Sequence, residues 1–200
     1  MHTQHNILYE AAAIWDILTD YQYIFTYGYK GTLHTINLTF PYEAFPHLAG
    51  FHYLKDLSIP RFNSSKIVAN ILNNKITLET IIKGFQYDNM VKPRLSALSK
   101  LINILDENFI LYSYSPHLYP FATMLRANYL ISSHLNEVNY IFITKNSSDN
   151  KINNYLCCSI FSKGNRDYEF RQIPLTLLKK EKINIKTKTS VVYVNNITKL

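Results

Sequence analysis

Two histidines and two cations lie close together in the segment FPYEAFPHLAGFHYLKDLSIPRF, residues 40–62. His47 and His52 could give or take a proton at neutral pH, because an imidazole has an ordinary pKa of about 6.5. Lys55 and Arg61 follow and could hold a phosphate group. Acid–base groups beside cations are what cleavage of a phosphodiester requires, so the segment is a candidate catalytic site. The alternative is that both imidazoles only pack, with their nitrogens bonded to backbone or water.

A second basic segment, SKGNRDYEFRQIPLTLLKKEKINIKTK, spans residues 162–188. Its candidate phosphate ligands are Lys163, Arg166, Lys180 and Lys182. Ser162 and Tyr168 could donate hydrogen bonds to a phosphate oxygen, and Tyr168 is also a candidate catalytic group. The alternative is a solvated strand edge on which lysines prevent aggregation.

Strand geometry limits the late lysines, because successive side chains of a strand point to opposite faces. Lys180 and Lys182 are therefore expected on one face, and Lys179 and Glu181 on the other. Only one of these sets can line a cleft. Arg126, in the apolar run MLRANYLISSHL, is expected either at a sheet edge or facing a cleft.

No metal or cofactor is expected. His47 and His52 are five residues apart, so on a single helix they would lie on different faces and make a poor pair of metal ligands. The sequence has no P-loop, no GxGxxG, no GxSxG, no HExxH and no CxxC. These absences leave metal-independent acid–base chemistry as the prediction for an enzyme.

Composition indicates a soluble protein. Apolar residues make up 47% of the chain and charged residues 18%, and no apolar run approaches the roughly 18 residues that span a bilayer. The N-terminus lacks a signal-peptide pattern, so the cytoplasm is the expected location and no membrane partner is expected. The net charge of +7 favours an anionic partner such as nucleic acid, although it also suits a merely basic protein. Adjacent Cys157 and Cys158 are expected to be reduced sheet residues.

The first half of the chain predicts helices and one hairpin. Apolar residues at three- and four-residue steps predict a helix over 4–20, and alternating residues about Lys30-Gly31 predict a β-hairpin. A helix is expected from about Pro46 to Asp56, with Gly50 marking a close approach of backbone or ligand. Two short helices should follow within residues 63–85, and a third over 91–108.

The second half predicts short strands: FILYSYS, MLRANYLISSHL, VNYIFITK, NNYLCCSIF, PLTLLKKEKIN and SVVYVN. Helices followed by strands indicate the α+β class. We expect one domain over residues 1–200, with the hairpin and helices in 1–107 packed on an antiparallel sheet in 108–200.

The pattern HLxGxxxLxD, here His47, Leu48, Gly50, Leu54 and Asp56, resembles a known family. Together with the late SIFSKGNRDYE and TLLKKEKIN segments, it is similar to the fourth family of phage-associated nuclease-like domains related to barnase, EndoU, colicins E5 and D, and RelE. The similarity covers roughly residues 23–193, and the lysine-rich strand is its weaker part.

The resemblance implies a metal-independent ribonuclease that uses the 2′-hydroxyl of RNA as nucleophile. It further implies no cofactor, a role as a toxin or phage-conflict effector, and a cognate inhibitor protein as partner. It does not assign base and acid between the histidines. A non-catalytic nucleic-acid- or protein-binding module of the same fold is the second hypothesis, and an ADP-ribosyltransferase is the third.

Overall fold

A computed structural model describes residues 6–59, 62–118, 123–134, 137–147 and 153–197. The α-helices in these ranges are α1 (Ile7–Leu18), α2 (Phe45–Leu48), α3 (Ile67–Leu72), α4 (Leu78–Ile81), α5 (Lys92–Leu98) and α6 (Leu101–Asp106). The strands are β1 (Tyr21–Tyr29), β2 (Thr32–Thr39), β3 (Ile110–Ser113), β4 (Tyr129–Ser133), β5 (Asn139–Lys145), β6 (Asn154–Ser162), β7 (Ile173–Asn184) and β8 (Ser190–Asn195). No helix in these ranges combines the length and apolar character needed to cross a bilayer.

The first helix and the hairpin form as the residue pattern predicts. Asn6 caps α1 by accepting a hydrogen bond from the backbone N–H of Tyr9 at 3.1 Å. The turn between β1 and β2 consists of Lys30 and Gly31, both with positive φ, 50° and 76°. Two such residues match the right-handed twist of the flanking strands, which explains the tight connection.

The hairpin is part of the sheet and does not pack on it. The strand order β1-β2-β6-β5-β4-β3-β7-β8 closes into a seven-stranded barrel because β1 also pairs with β7, and β8 lies outside on β7. The pairing of β2 with β6 is parallel. The predicted layout, a hairpin and helices packed on a separate antiparallel sheet, is therefore wrong, although the α+β class is confirmed. Closure pairs both edges of β1, which an isolated hairpin would leave open.

Two hydrophobic cores lie on opposite faces of the sheet. The main core joins the buried faces of the helices to alternate residues of the barrel strands, including Phe25, Leu111 and Ile141. The second core lies over the other face of β3, β4 and β5 and includes Tyr140 and Phe142. Strands β4 and β5 are thus covered on both faces, which fits their nearly continuous apolar sequences.

The helix expected over 91–108 is broken. Helix α5 ends at Leu98 and α6 begins at Leu101. Both helices still place apolar residues in the main core, and Pro93 lies in the first turn of α5 as expected. Asn63 caps the 3₁₀ turn Ser64–Lys66 that leads into α3 by accepting a hydrogen bond from the backbone N–H of Ser65 at 3.0 Å.

Candidate functional site

The two histidines of the first segment stack on each other. Helix α2 ends at Leu48, and Gly50 then takes a left-handed conformation with φ 79° before a 3₁₀ turn over Phe51–Tyr53. This reversal replaces the continuous helix we expected and brings the rings of His47 and His52 face to face, with centroids 4.7 Å apart and planes 12° apart. The prediction that they diverge around one helix is wrong.

Gly50 also permits close contact with the segment around α5. A Cβ atom at this position would lie 2.9 Å from Cδ of Arg94 and 3.0 Å from the carbonyl oxygen of Met90. The backbone at Gly50 therefore packs directly against α5, as the sequence predicted for a close approach. Any other residue would combine a strained φ with a clash.

Arg94 is the central cation of the site. Its guanidinium lies 5.2 Å from the ring centroid of Tyr53 and 5.6 Å from that of Phe161, and it donates a hydrogen bond to the carbonyl of Met90 at 2.8 Å. Burial lowers the pKa of Arg94, but a guanidinium remains charged at the pH values at which proteins function. Its two ring contacts and its backbone bond hold the charge in one position.

A first cavity of about 380 Å³ opens beside these groups. It is lined by His47, His52, Tyr53, Arg94, Met124, Leu125, Arg126, Cys158 and Ser159. Arg126 precedes β4 and is exposed, so the cleft position is the one adopted. The cavity thus combines two imidazoles with two guanidinium groups, which suits an anionic ligand.

A bulge in β6 shapes the floor of this cavity. In the pairing with β5, Ile143 is opposite Cys157 and Phe142 is opposite Ser159, so Cys158 is the extra residue. Both cysteines are free, as predicted, and Cys157 is buried. Burial raises the pKa of the Cys158 thiol to about 11, which keeps it uncharged. The bulge re-aims the strand toward the cavity, as bulges beside functional sites often do.

A second cavity of about 360 Å³ shares Arg94 with the first. Its other lining residues are Asn89, Pro93, Phe161, Ser162, Gly164, Asn165, Arg166 and Tyr168. The two cavities adjoin at Arg94 of α5 and are together called the groove: His47 of α2 lines the first cavity, and residues 163–172, here called the arm, contribute Gly164, Asn165, Arg166 and Tyr168 to the second. The structure thus places His47 and His52 in the first cavity and Ser162, Arg166 and Tyr168 in the adjoining second one.

The electrostatic surroundings favour the neutral form of His52. Partial burial and the neighbouring His47, Arg94 and Lys55 all lower the pKa of His52 below its ordinary value of 6.5. A neutral imidazole carries a free lone pair and can accept a proton. His52 therefore has the protonation state of a general base at pH 7.

The late lysines are engaged elsewhere. Lys180 is 1% exposed, and its Nζ donates to the carbonyls of Leu105, Asp106 and Glu107 at the end of α6. Burial lowers its pKa to about 8, against the opposing charges of Asp106 and Glu107. Lys182 forms an ion pair with Asp106 at 3.0 Å. Both lysines lie on one face, as alternation predicted, and neither lines the two cavities.

The other predicted phosphate ligands are distributed around the groove. Lys55 is exposed and close enough to His52 to lower its pKa. Lys163 begins the arm and forms an ion pair with Asp167 at 3.5 Å. Arg61 lies outside the described residues.

The pattern HLxGxxxLxD proves mainly structural. Leu48 and Leu54 are buried, Gly50 reverses the chain, and Asp56 accepts a hydrogen bond from the backbone N–H of Phe85 at 3.1 Å. Of the five residues of the pattern, only His47 lines the first cavity. The family pattern therefore marks the scaffold that presents the histidines.

Sequence reasoning missed Arg94 and Tyr53. Arg94 follows Pro93 in a segment read only for its apolar stripe, and Tyr53 was counted among packing aromatics. A cation in the first turn of a helix is unfavourable next to the helix dipole, and this was the available signal. Among the described residues, no three His, Cys, Asp or Glu side chains cluster in a way that could hold a metal ion.

Comparison with known proteins identifies the family of the chain. The family model described as phage-Barnase-EndoU-ColicinE5/D-RelE like nuclease4 matches residues 7–196. The chain therefore belongs to this family of nuclease-like proteins, which confirms the resemblance found in the sequence and extends it to α1. No curated protein and no solved structure matches the chain.

Proposed function

We propose that the protein is an endoribonuclease that cleaves RNA by metal-independent transesterification in the groove between α5 and the arm. The observation that carries the proposal is the stack of His47 on His52 beside the held guanidinium of Arg94. Membership of a nuclease family supports the reaction class. The choice of RNA rests on the site, which offers a base, an acid and a cation, and these suffice when the substrate carries its own nucleophile.

The proposed reaction begins with His52. Its neutral imidazole removes the proton of a ribose 2′-hydroxyl, and the 2′-oxygen attacks the adjacent phosphorus. The bond from phosphorus to the 5′-oxygen then breaks, while protonated His47 donates a proton to that oxygen. The products are a 2′,3′-cyclic phosphate and a 5′-hydroxyl, and a second proton exchange with water restores both histidines.

Arg94 has the role of stabilising charge on the phosphorane. One of its N–H groups bonds to Met90 and its guanidinium lies over the rings of Tyr53 and Phe161, which leaves other N–H groups available to a ligand in the groove. A guanidinium fixed before the reaction costs no reorganisation when charge develops on the phosphate oxygens. Arg126 lines the same cavity and would contact a neighbouring phosphate.

The second cavity would hold the nucleotide next to the cleaved bond. Arg166 and Ser162 are suited to phosphate and sugar contacts. Tyr168 lies in this cavity and away from the histidines in the first, so we assign it to substrate binding in place of proton transfer. Lys55 and Lys163 lie at the margins and would add non-specific attraction for the RNA backbone.

End-labelled RNA incubated with purified protein in EDTA tests the proposal. We expect cleavage to a 2′,3′-cyclic phosphate and no cleavage of DNA of the same sequence. His52→Ala should lower kcat by about 10²- to 10⁴-fold, whereas His34→Ala, which removes an exposed imidazole from the β1–β2 hairpin, should leave it unchanged. Intact RNA at high concentrations of folded protein, or equal loss in both variants, would overturn the proposal.

The same proposal includes a biological setting. Cleavage of cytoplasmic RNA would make the protein toxic to the cell that contains it, as expected of a phage-conflict effector, and a cognate inhibitor would be needed to cover the groove. Growth arrest on expression of the protein, absent with His52→Ala, is the expected result. Equal arrest with both would show that toxicity does not arise from this site.

A further inference from the structure

The arm, residues 163–172, crosses the outer face of the sheet. It leaves β6 at Ser162 and enters β7 at Ile173, which pairs with β3. Between these points it passes over β5 and β4, and the ring of Tyr168 packs on Tyr140 and Phe142 of β5. The arm contains no helix or strand. A backbone hydrogen bond from Lys163 to Val138 holds its start, two bonds between the Gln172 side chain and the backbone of Ser115 hold its end, and side-chain contacts fix the course between them.

Three side chains of the sheet converge on one carboxylate of the arm. Glu169 accepts a hydrogen bond from the hydroxyl of Tyr112 at 3.1 Å and from Ser132 at 2.7 Å. His134 approaches the same carboxylate at 3.1 Å. These three groups come from β3, from β4 and from the residue after β4, so Glu169 joins the arm to two strands.

Glu169 and its contacts with Tyr112, Ser132 and His134 are here called the anchor, which is partly enclosed. Ser132 is fully buried, the Glu169 side chain is 16% exposed, and burial together with the Glu169 charge raises the pKa of Tyr112 to about 12. A tyrosine that stays protonated remains a donor to the carboxylate. Hydrogen bonds to a charged acceptor in partial burial are among the stronger ones in proteins.

We propose that Glu169 is a positioning residue that holds Arg166 and Tyr168 in the groove for substrate binding. The residue next to Glu169 is Tyr168, and Arg166 lies 5.7 Å from the Tyr168 ring centroid. Both line the second cavity, whereas Glu169 itself does not. The inference rests on the proposed function for the meaning of the groove, but the anchoring of the arm can be measured without catalysis.

The first measurement is affinity for a 2′-O-methyl RNA oligonucleotide, which this mechanism cannot cleave. Glu169→Ala should weaken binding about tenfold, the effect of losing charge-assisted hydrogen bonds. Glu169→Gln keeps one acceptor oxygen, so its affinity should lie between that of Glu169→Ala and that of the unaltered protein. Glu181→Ala is the matched control, since it removes a paired carboxylate from β7, and it should bind like the unaltered protein.

A double variant separates positioning from general loss of structure. If Glu169 acts through Arg166, then Glu169→Ala should add little to Arg166→Ala in binding, because the same contact is already lost. In the cleavage assay, Glu169→Ala should raise KM and leave kcat within about threefold, since His52 and Arg94 are on the opposite side of the groove. The proposal would be overturned if the two substitutions weakened binding by factors that multiply in the double variant, or if Glu169→Ala alone left the affinity unchanged.

Limited proteolysis tests the anchor if the protein neither binds nor cleaves RNA. Trypsin cleaves after Lys163, Arg166 and Arg171, all in the arm. Glu169→Ala should be cut there at least about tenfold faster, because the fraction of open arm grows with the lost stabilising energy. Faster cutting of Glu169→Ala in a protein that does not bind RNA would contradict the proposed function and support the anchor. An unchanged cutting rate would show that Glu169 does not hold the arm.

Discussion

Arg94 and Lys180 are both removed from bulk water, yet they meet opposite surroundings. Lys180 faces three carbonyl oxygens at the end of α6 and lines neither of the two cavities of the groove. Arg94 bonds to one carbonyl and otherwise lies between two aromatic rings at the junction of two cavities. The comparison shows that burial of a cation does not indicate function by itself. What matters is whether its donors are already satisfied by the fold.

Of the two cations, Arg94 should have the larger effect. Replacement by Ala removes the fixed charge from the groove, and we expect kcat to fall by about 10²- to 10³-fold with the fold retained. Arg94→Lys should recover only part of the loss, because an ammonium group cannot reproduce the planar contact with both rings. Single-turnover cleavage measures the effect.

The Arg94 variants need a control that removes an arginine from outside the two cavities. Arg171→Ala, which removes an arginine that lines neither cavity, should leave kcat near that of the unaltered protein. A loss in Arg94→Ala that appears only in KM would place Arg94 in substrate binding and remove it from the chemical step.

Lys180 should affect stability and leave the chemistry intact. Lys180→Met leaves three buried carbonyls without their donor, and we expect the free energy of unfolding to fall by about 3 kcal/mol. Lys179→Met, on the same strand, breaks only a partly exposed pair with Glu181 and should cost under about 1 kcal/mol. Urea titration measures both, and similar losses would mean that the carbonyl contacts contribute little.

The smallest effect should come from Lys55. Its charge lowers the pKa of His52, so Lys55→Gln should raise that pKa toward its ordinary value of 6.5. The acid limb of the kcat/KM profile should then move to higher pH, because His52 must be neutral to act as base. A shift to lower pH, or an NMR titration of His52 that does not follow the kinetic limb, would contradict its assignment as the base.

The same pKa also predicts a stability trend. A folded-state pKa of His52 below that of the unfolded chain means that the unfolded state takes up the proton first as the pH falls. This contribution therefore destabilises the fold below about pH 6.5, and it disappears above that pH. His52→Gln should flatten this part of the stability profile.

Much of the local structure could be predicted from the sequence. Alternation located six late strands and the hairpin, because period two is a direct consequence of strand geometry. Closure of the barrel was missed because it depends on β1 pairing with β7 across nearly the whole chain, and alternation does not say which edges meet. The parallel contact of β2 with β6 was missed for the same reason.

The site was only partly predictable. His47 and His52 were found by residue type, but their geometry depends on Gly50, whose left-handed φ ends the helix early. Arg94 was hidden in a helix read for its apolar face. Ser162, Arg166 and Tyr168 line the second cavity, and their role as RNA ligands stays a prediction, whereas Lys180 and Lys182 resemble phosphate ligands in sequence and contact α6 in the fold.

Closure of the barrel by the pairing of β1 with β7 also sets when the groove can exist during synthesis. Helix α5 leaves the ribosome early, but the arm and β7 come from the last fifth of the chain, and β1 must wait for them. Contacts between distant parts of a chain form late in folding. A nascent chain that stops before the arm and β7 therefore has the helical part of the groove without the rest, and the complete groove can assemble only after β7 has been synthesised.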